Sequence, residues 1–106
     1  MALKITSEIA TSAGLTSEAY LNIEKLTFIK EKAVDVWINL YLNETIRESY
    51  PKQTTDSSQV PVRFGISNEG DPSNLASLDT ETIYQFAYSY IKNYLEEKGL
   101  TVEDLI

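Results

Sequence analysis

The prediction of the fold begins with Val34-Asp35-Val36-Trp37-Ile38-Asn39-Leu40-Tyr41-Leu42. Its apolar residues recur at every second position from Val34 to Leu42, which is the period of a β-strand that buries one face. We expect this face to belong to the core. The opposite face carries Trp37 and Tyr41, and a second layer or a partner protein would cover these aromatic rings.

A second strand is predicted just before this stretch. From Ala19 to Ile29 apolar residues alternate, but the alternation changes phase at Glu24 and Lys25. One extra residue accommodated by a β-bulge explains such a change. The short polar segment Lys30-Glu31-Lys32 that follows suits the loop of an antiparallel hairpin.

A third strand is predicted over Val60 to Ile66. Because Pro61 cannot donate a ladder hydrogen bond, this strand should lie at an edge of the sheet or begin there. The polar residues from Asn43 to Gln59, and those from Asn68 to Asp79, predict two surface loops.

A long helix follows the second loop. Asp79 or Thr80 can cap its beginning, and Gly99 lies where a left-handed C-terminal cap belongs. We expect Leu100 to Asp104 to form one further turn. The apolar residues that recur at helical spacing are Ile83, Phe86, Ala87, Tyr90, Ile91, Tyr94 and Leu95.

These elements predict an α+β fold, with a small antiparallel sheet of about three to four strands packed against one long C-terminal helix. Residues 1–17 lack a sustained apolar period and are predicted to form an N-terminal arm ahead of a single domain over residues 18–106. Within the arm, the alternation of Leu3 and Ile5 predicts a short strand that pairs with a sheet edge in its own domain or in a neighbouring subunit.

The charge balance narrows the choice of partners. The chain has 16 acidic and 9 basic side chains, a formal net charge of −7. This sign opposes binding to a phosphate backbone, so we expect no nucleic acid partner. Such a charge is typical of a small domain that stays in solution, and contact with a basic protein surface is the alternative.

The residue types argue against an enzyme. Without histidine or cysteine the chain cannot form the usual Ser-His-Asp or Cys-His systems, and zinc loses its best ligands. The neighbours Glu96-Glu97 and Glu103-Asp104 would diverge by about 100° on a helix. Asn68-Glu69-Gly70-Asp71 suits a turn rather than a calcium loop. We therefore expect no catalytic residue, cofactor, metal or small-molecule substrate.

Neither a signal peptide nor a membrane span is predicted. Met1-Ala2-Leu3-Lys4 lacks a basic region followed by an apolar run, and nowhere do about eighteen apolar residues follow one another. We expect no membrane partner.

Tyrosine is over-represented, with seven residues in the chain. Tyr84 and Tyr88 lie on one flank of the predicted helix, where they either border the core with polar tips in water or form part of an interface. The candidate partner-binding residues are Leu3, Ile5, Trp37, Tyr41, Tyr84 and Tyr88.

Several segments in order resemble a family of small tail-module proteins of bacteriophages and prophages. They are Met1-Ala2-Leu3-Lys4, Ala19-Tyr20-Leu21-Asn22-Ile23, the stretch from Val34 to Leu42, and Ile83-Tyr84-Gln85-Phe86-Ala87-Tyr88-Ser89-Tyr90-Ile91-Lys92. The resemblance implies a minor virion protein of a tail, baseplate or neck, and it brings no catalytic residues. The loop from Lys52 to Gln59 looks longer and more polar than the family pattern.

Three functions are compatible with these patterns. The leading hypothesis is a structural assembly protein, found in the virion and during assembly in the host cytoplasm, that docks on other phage proteins or on copies of itself. The alternative is an acidic inhibitor or regulatory module that binds a basic protein surface. A carboxylate-dependent enzyme would need convergent acidic side chains, which the spacing does not indicate.

Overall fold

The computed structural model describes residues 2–30, 33–67 and 80–105. The chain is α+β, as the sequence predicts. Its strands are β1 (Ala2–Ile5), β2 (Ile9–Thr11), β3 (Gly14–Thr16), β4 (Ala19–Lys30), β5 (Ala33–Tyr41), β6 (Arg63–Ser67) and β7 (Val102–Leu105), and its helices are α1 (Glu44–Ser49) and α2 (Thr80–Glu97).

The main sheet has five strands in the order β6-β5-β4-β1-β7, and every neighbouring pair is antiparallel. The expectation of three to four strands is therefore too low. β1 and β7 have only four residues each, too few for a clear period in the sequence. β2 and β3 pair separately as a small hairpin.

The β4–β5 hairpin confirms the two strand predictions on which the fold prediction depends. Its register shifts between Ile23 and Lys25, where the sequence changes phase. After this bulge, Leu26 and Phe28 lie opposite Val36 and Val34, so the apolar residues return to the same face of the sheet. β6 is an edge strand, as Pro61 predicts.

One face of the sheet forms the core beneath α2. The helix covers it with a row of buried residues at every fourth position, which are Ile83, Ala87, Ile91 and Leu95. The strands supply buried residues from all five positions in the sheet, among them Leu3, Ile5, Leu21, Val34, Val36, Ile38, Leu40, Phe64, Ile66 and Val102. Tyr90, one of the apolar residues that recur at helical spacing, is 38% exposed, because the buried face of the helix is rotated towards Tyr84 and Tyr88.

The end of α2 confirms the glycine cap but not the position of the helix in the chain. Gly99 has φ +88°, and the amides of Gly99 and Leu100 donate to Glu96 O at 3.0 Å and Leu95 O at 3.1 Å, the pattern of a Schellman cap. The helix is not C-terminal. β7 follows it where a last turn was expected, because Val102 reaches the core beside Ile5.

The prediction that residues 1–17 form an arm ahead of the domain is wrong, because β1 is part of the main sheet. β1 lies between β4 and β7, and the side chains of Leu3 and Ile5 are 0% exposed. The strand that contains them pairs on each side with a strand of the chain's own domain. The β2–β3 hairpin is also attached, since the Ser12 amide donates to Asp56 O at 3.0 Å.

The predicted loop from Asn43 to Gln59 contains the short helix α1. The side chain of Asn43 caps it by accepting a hydrogen bond from the Ile46 amide at 2.8 Å. Ile46 packs on a second, small apolar cluster on the opposite face of the sheet, formed by Ala2, Tyr20, Tyr41 and Leu105. Residues 68–79, with the second predicted loop and the cap residue Asp79, lie outside the described residues.

Replacement of Ile38 by alanine tests the assignment of the core face. Ile38 is buried between β4 and β6, so Ile38→Ala should lower the free energy of unfolding by about 2 to 5 kcal/mol, measured by urea denaturation. Val62→Ala is the control, because Val62 is 59% exposed and its truncation should cost less than about 0.5 kcal/mol. Equal effects of the two substitutions would contradict this assignment.

Candidate functional site

Four of the six residues predicted to bind a partner are buried within the chain. Leu3 and Ile5 lie in the core, Tyr41 lies under α1, and Tyr88 lies between α2 and β4. Their assignment to a binding surface is wrong for that physical reason. Sequence periodicity places a residue on a face, but it does not reveal whether another element covers that face.

Trp37 and Tyr84 are partly buried. Tyr84 packs against the core cluster from α2, so only part of its ring faces solvent. Trp37 lies on the face of β5 opposite the core, beyond the end covered by α1. These two residues are the ones from the predicted set that keep accessible surface.

Trp37 lies at the centre of a row of side chains that crosses three strands. Lys25 Nζ is 4.4 Å from the centroid of its ring, and Arg63 Cζ is 5.7 Å from it. The Arg63 guanidinium also donates to Asp35 Oδ2 at 2.7 Å. The chain's own cations thus cover part of the indole, which reduces the aromatic surface left for a partner.

Tyr20 and Tyr41 form an edge-to-face pair with ring centroids 6.1 Å apart. The Tyr41 hydroxyl donates to the Pro51 carbonyl at 2.6 Å, which ties the segment after α1 to the sheet. Both rings contribute to packing, and their polar atoms reach the edge of the cluster as tyrosine commonly does.

The Tyr88 hydroxyl accepts a hydrogen bond from the Ile23 amide at 2.9 Å. β1 pairs with β4 only at Ala19, Tyr20 and Leu21, so Tyr88 supplies an acceptor where that strand pairing has ended. Burial raises the pKa of Tyr88 above its ordinary value, and the hydrogen bond from Ile23 partly opposes this shift.

Beyond this point β4 has no strand on its outer side among the residues that the structure describes. We name residues 24–30 the β4 edge segment. Its inner side pairs with β5, and its outer side, which no strand within residues 2–30, 33–67 and 80–105 covers, leaves room for an extended chain.

The β4 edge segment also carries the two most prominent apolar side chains of the hairpin. Phe28 is 45% exposed and Ile29 is 56% exposed. A second register shift between Phe28 and Lys30 places Ile29 in a bulge. The alternation of residues 19–29 predicts this strand but not its open outer side. The difference in length between β1 and β4 reveals that side, and it is visible only in the strand pairing.

The described residues offer little for catalysis. No group of three or more metal-ligating side chains occurs in residues 2–30, 33–67 and 80–105. A shallow cleft of about 370 Å³ lies between β5 and residues 54–56, with Trp37, Asn39 and Glu24 in its wall, and it is open to solvent. No helix within the described parts of the chain is long and apolar enough to span a membrane.

Stability at alkaline pH tests the environment of Tyr88. Below about pH 10 the residue is protonated in the folded and unfolded chain, and its contribution is fully present. As the pH rises further, the unfolded chain loses this proton more readily, so the free energy of unfolding should fall. Urea denaturation at about pH 8 and about pH 11 should show a smaller fall for Tyr88→Phe than for wild type. Tyr50→Phe controls for loss of an exposed phenol, and equal falls in all three proteins would contradict the expectation.

Comparison with known proteins adds no relative from which a role could be transferred. No protein-family model matches the chain, and no match is found among curated proteins or solved structures. The resemblance to phage tail-module proteins thus remains a prediction from the sequence segments quoted above. The role of the chain has to be inferred from the geometry of its own surfaces.

Proposed function

We propose that this chain is a non-enzymatic structural or assembly protein of a bacteriophage particle. It is a tail, baseplate or neck component that docks on neighbouring subunits through the β4 edge segment. The phage context comes from the resemblance of the sequence segments. The docking role comes from the shape of the sheet.

One observation carries the docking role: the β4–β5 hairpin extends past the strand that covers its outer edge. β4 has twelve residues, whereas β1 has four and pairs with three of them. A partner strand can therefore add to β4 without displacing any strand described here. Backbone hydrogen bonds would provide affinity, and the exposed Phe28 and Ile29 would provide specificity.

The rest of the chain supports a binding role rather than a chemical one. Its core is complete under α2, so the fold does not need a partner to bury its main apolar face. The exposed acidic side chains are spread over several elements, with Glu44 on α1, Glu96 on α2 and Glu103 on β7. An inhibitor that binds a basic surface would bind it more strongly if its acidic groups were concentrated on one face.

The presence of the protein in particles is the direct test. Mass spectrometry of purified particles of the phage that encodes this chain should detect it in a fixed ratio to other virion proteins. A deletion mutant should yield particles with altered tail, baseplate or neck morphology in electron microscopy. Absence from intact particles would overturn the assembly role and favour the acidic-inhibitor alternative.

A substitution in the β4 edge segment tests the docking surface. Phe28→Asp places a charge on an exposed apolar position, so it should prevent incorporation when supplied to the deletion mutant while circular dichroism shows a folded chain. Leu15→Asp is the matched control, because Leu15 is exposed on β3, away from the segment. Loss of incorporation with both variants, or with neither, would contradict the assignment of this surface.

A further inference from the structure

The outer side of the β4 edge segment is a bounded place for one strand. At one end it is limited by the Tyr88 hydroxyl, which accepts the Ile23 amide proton. At the other end it is limited by the end of β4 at Lys30. An occupant of about seven residues in extended form fits between these limits.

The direction of the backbone groups along this edge follows from β5. The Ile38 amide donates away from β4, to Val62 O at 3.0 Å. Backbone N–H and C=O groups alternate in direction from one residue of a strand to the next. Those of Val36 and Val34 therefore also point away from β4. Their partners on β4 are Leu26 and Phe28.

In a non-hydrogen-bonded antiparallel pair, the backbone N–H and C=O groups of the two opposed residues point away from each other. Leu26 and Phe28 therefore present their N–H and C=O groups to the outer side of the sheet. Thr27, between them, turns its own groups towards Asp35 on β5. Along the outer edge, the backbone groups of Leu26 and Phe28 thus point towards a possible partner strand. Those of Thr27, which lies between them, do not.

This arrangement is complementary to itself. In an antiparallel pair of two copies with a twofold axis at Thr27, Leu26 of each copy lies opposite Phe28 of the other. The two pairs would exchange about four hydrogen bonds, and their apolar side chains would meet on one face of the joined sheet.

We propose that the occupant of the β4 edge segment is the same segment of a second copy of this chain, paired antiparallel about Thr27. The two sheets then become one continuous sheet through β4 of each copy. This inference rests on the proposed function only in taking the segment as a binding surface, and the pairing can be tested without a particle.

Sedimentation of the purified chain over a range of concentrations tests the pairing. The wild type should show a monomer–dimer equilibrium. Thr27→Lys places two cations opposite each other at the axis and should raise the dimer dissociation constant about tenfold or more, because like charges directly opposite repel. Thr27→Val keeps a β-branched side chain and should retain the dimer. A wild type that sediments only as a monomer, or a dimer indifferent to Thr27→Lys, overturns the proposal.

A crosslink locates the axis. The chain has no cysteine, so a single introduced thiol can form only an intermolecular disulfide. At the axis Thr27 would face itself in a non-hydrogen-bonded pair with Cα atoms about 4.5 Å apart, within reach of a disulfide. Thr27→Cys should form a covalent dimer under mild oxidation much faster than Lys25→Cys on the same strand face or Leu15→Cys on β3. Equal rates for the three variants overturn this register.

The two proposals can fail separately. A chain that dimerises through Thr27 but is absent from particles keeps the self-pairing and loses the assembly role. A chain that is monomeric, yet needs Phe28 for incorporation, keeps the docking surface and loses the second copy as its occupant.

Discussion

Burial of one face of the five-stranded sheet under α2 is the interaction on which the rest of the structure depends. All five strands contribute side chains to that face, and the row from Ile83 to Leu95 covers them. An apolar face of this kind is the largest favourable contribution to folding. Only one long helix is described, so the opposite face receives a cover at one end alone, where Ile46 of α1 packs on Tyr20 and Tyr41. The middle of that face carries Trp37 with Lys25 and Arg63 over its ring, and Arg63 also pairs with the buried Asp35.

The unequal lengths of neighbouring strands decide where the molecule is left open. β1 pairs with only three residues of β4, which are Ala19, Tyr20 and Leu21, so among the described residues the later part of β4 has no strand on its outer side. Natural proteins usually protect such edges with charges, bulges or short strands. β7, the edge strand on one side, is short and carries Glu103 and Asp104. The β4 edge segment has two bulges and flanking charges, but between them it carries Leu26, Thr27 and Phe28 in a regular register.

The tyrosines illustrate why composition is a weak guide to an interface. Tyr41 and Tyr88 use their hydroxyl groups within the chain. The ring of Tyr94 packs edge to face on Phe64 with centroids 5.3 Å apart. Aromatic residues serve a small core as well as a contact between proteins, because they bury a large area and carry a polar tip. The binding surface proposed here depends instead on backbone groups, which any sequence of suitable period could supply, together with two exposed apolar side chains.

By itself the sequence determined the elements that have a sustained apolar pattern or a clear local signal. These are the β4–β5 hairpin with its bulge, the edge position of β6 after Pro61, and α2 with its cap at Gly99. These features are encoded in consecutive residues, through alternation, ring chemistry and backbone freedom. The tertiary structure decided the rest. Whether Leu3 and Ile5 belong to an arm or a core strand depends on β4 and β7, and whether Tyr88 is buried depends on the rotation of α2 over the sheet. The open edge of β4 likewise results from the different lengths of β1 and β4. No local pattern in the sequence indicates it, because strand pairing is a long-range interaction.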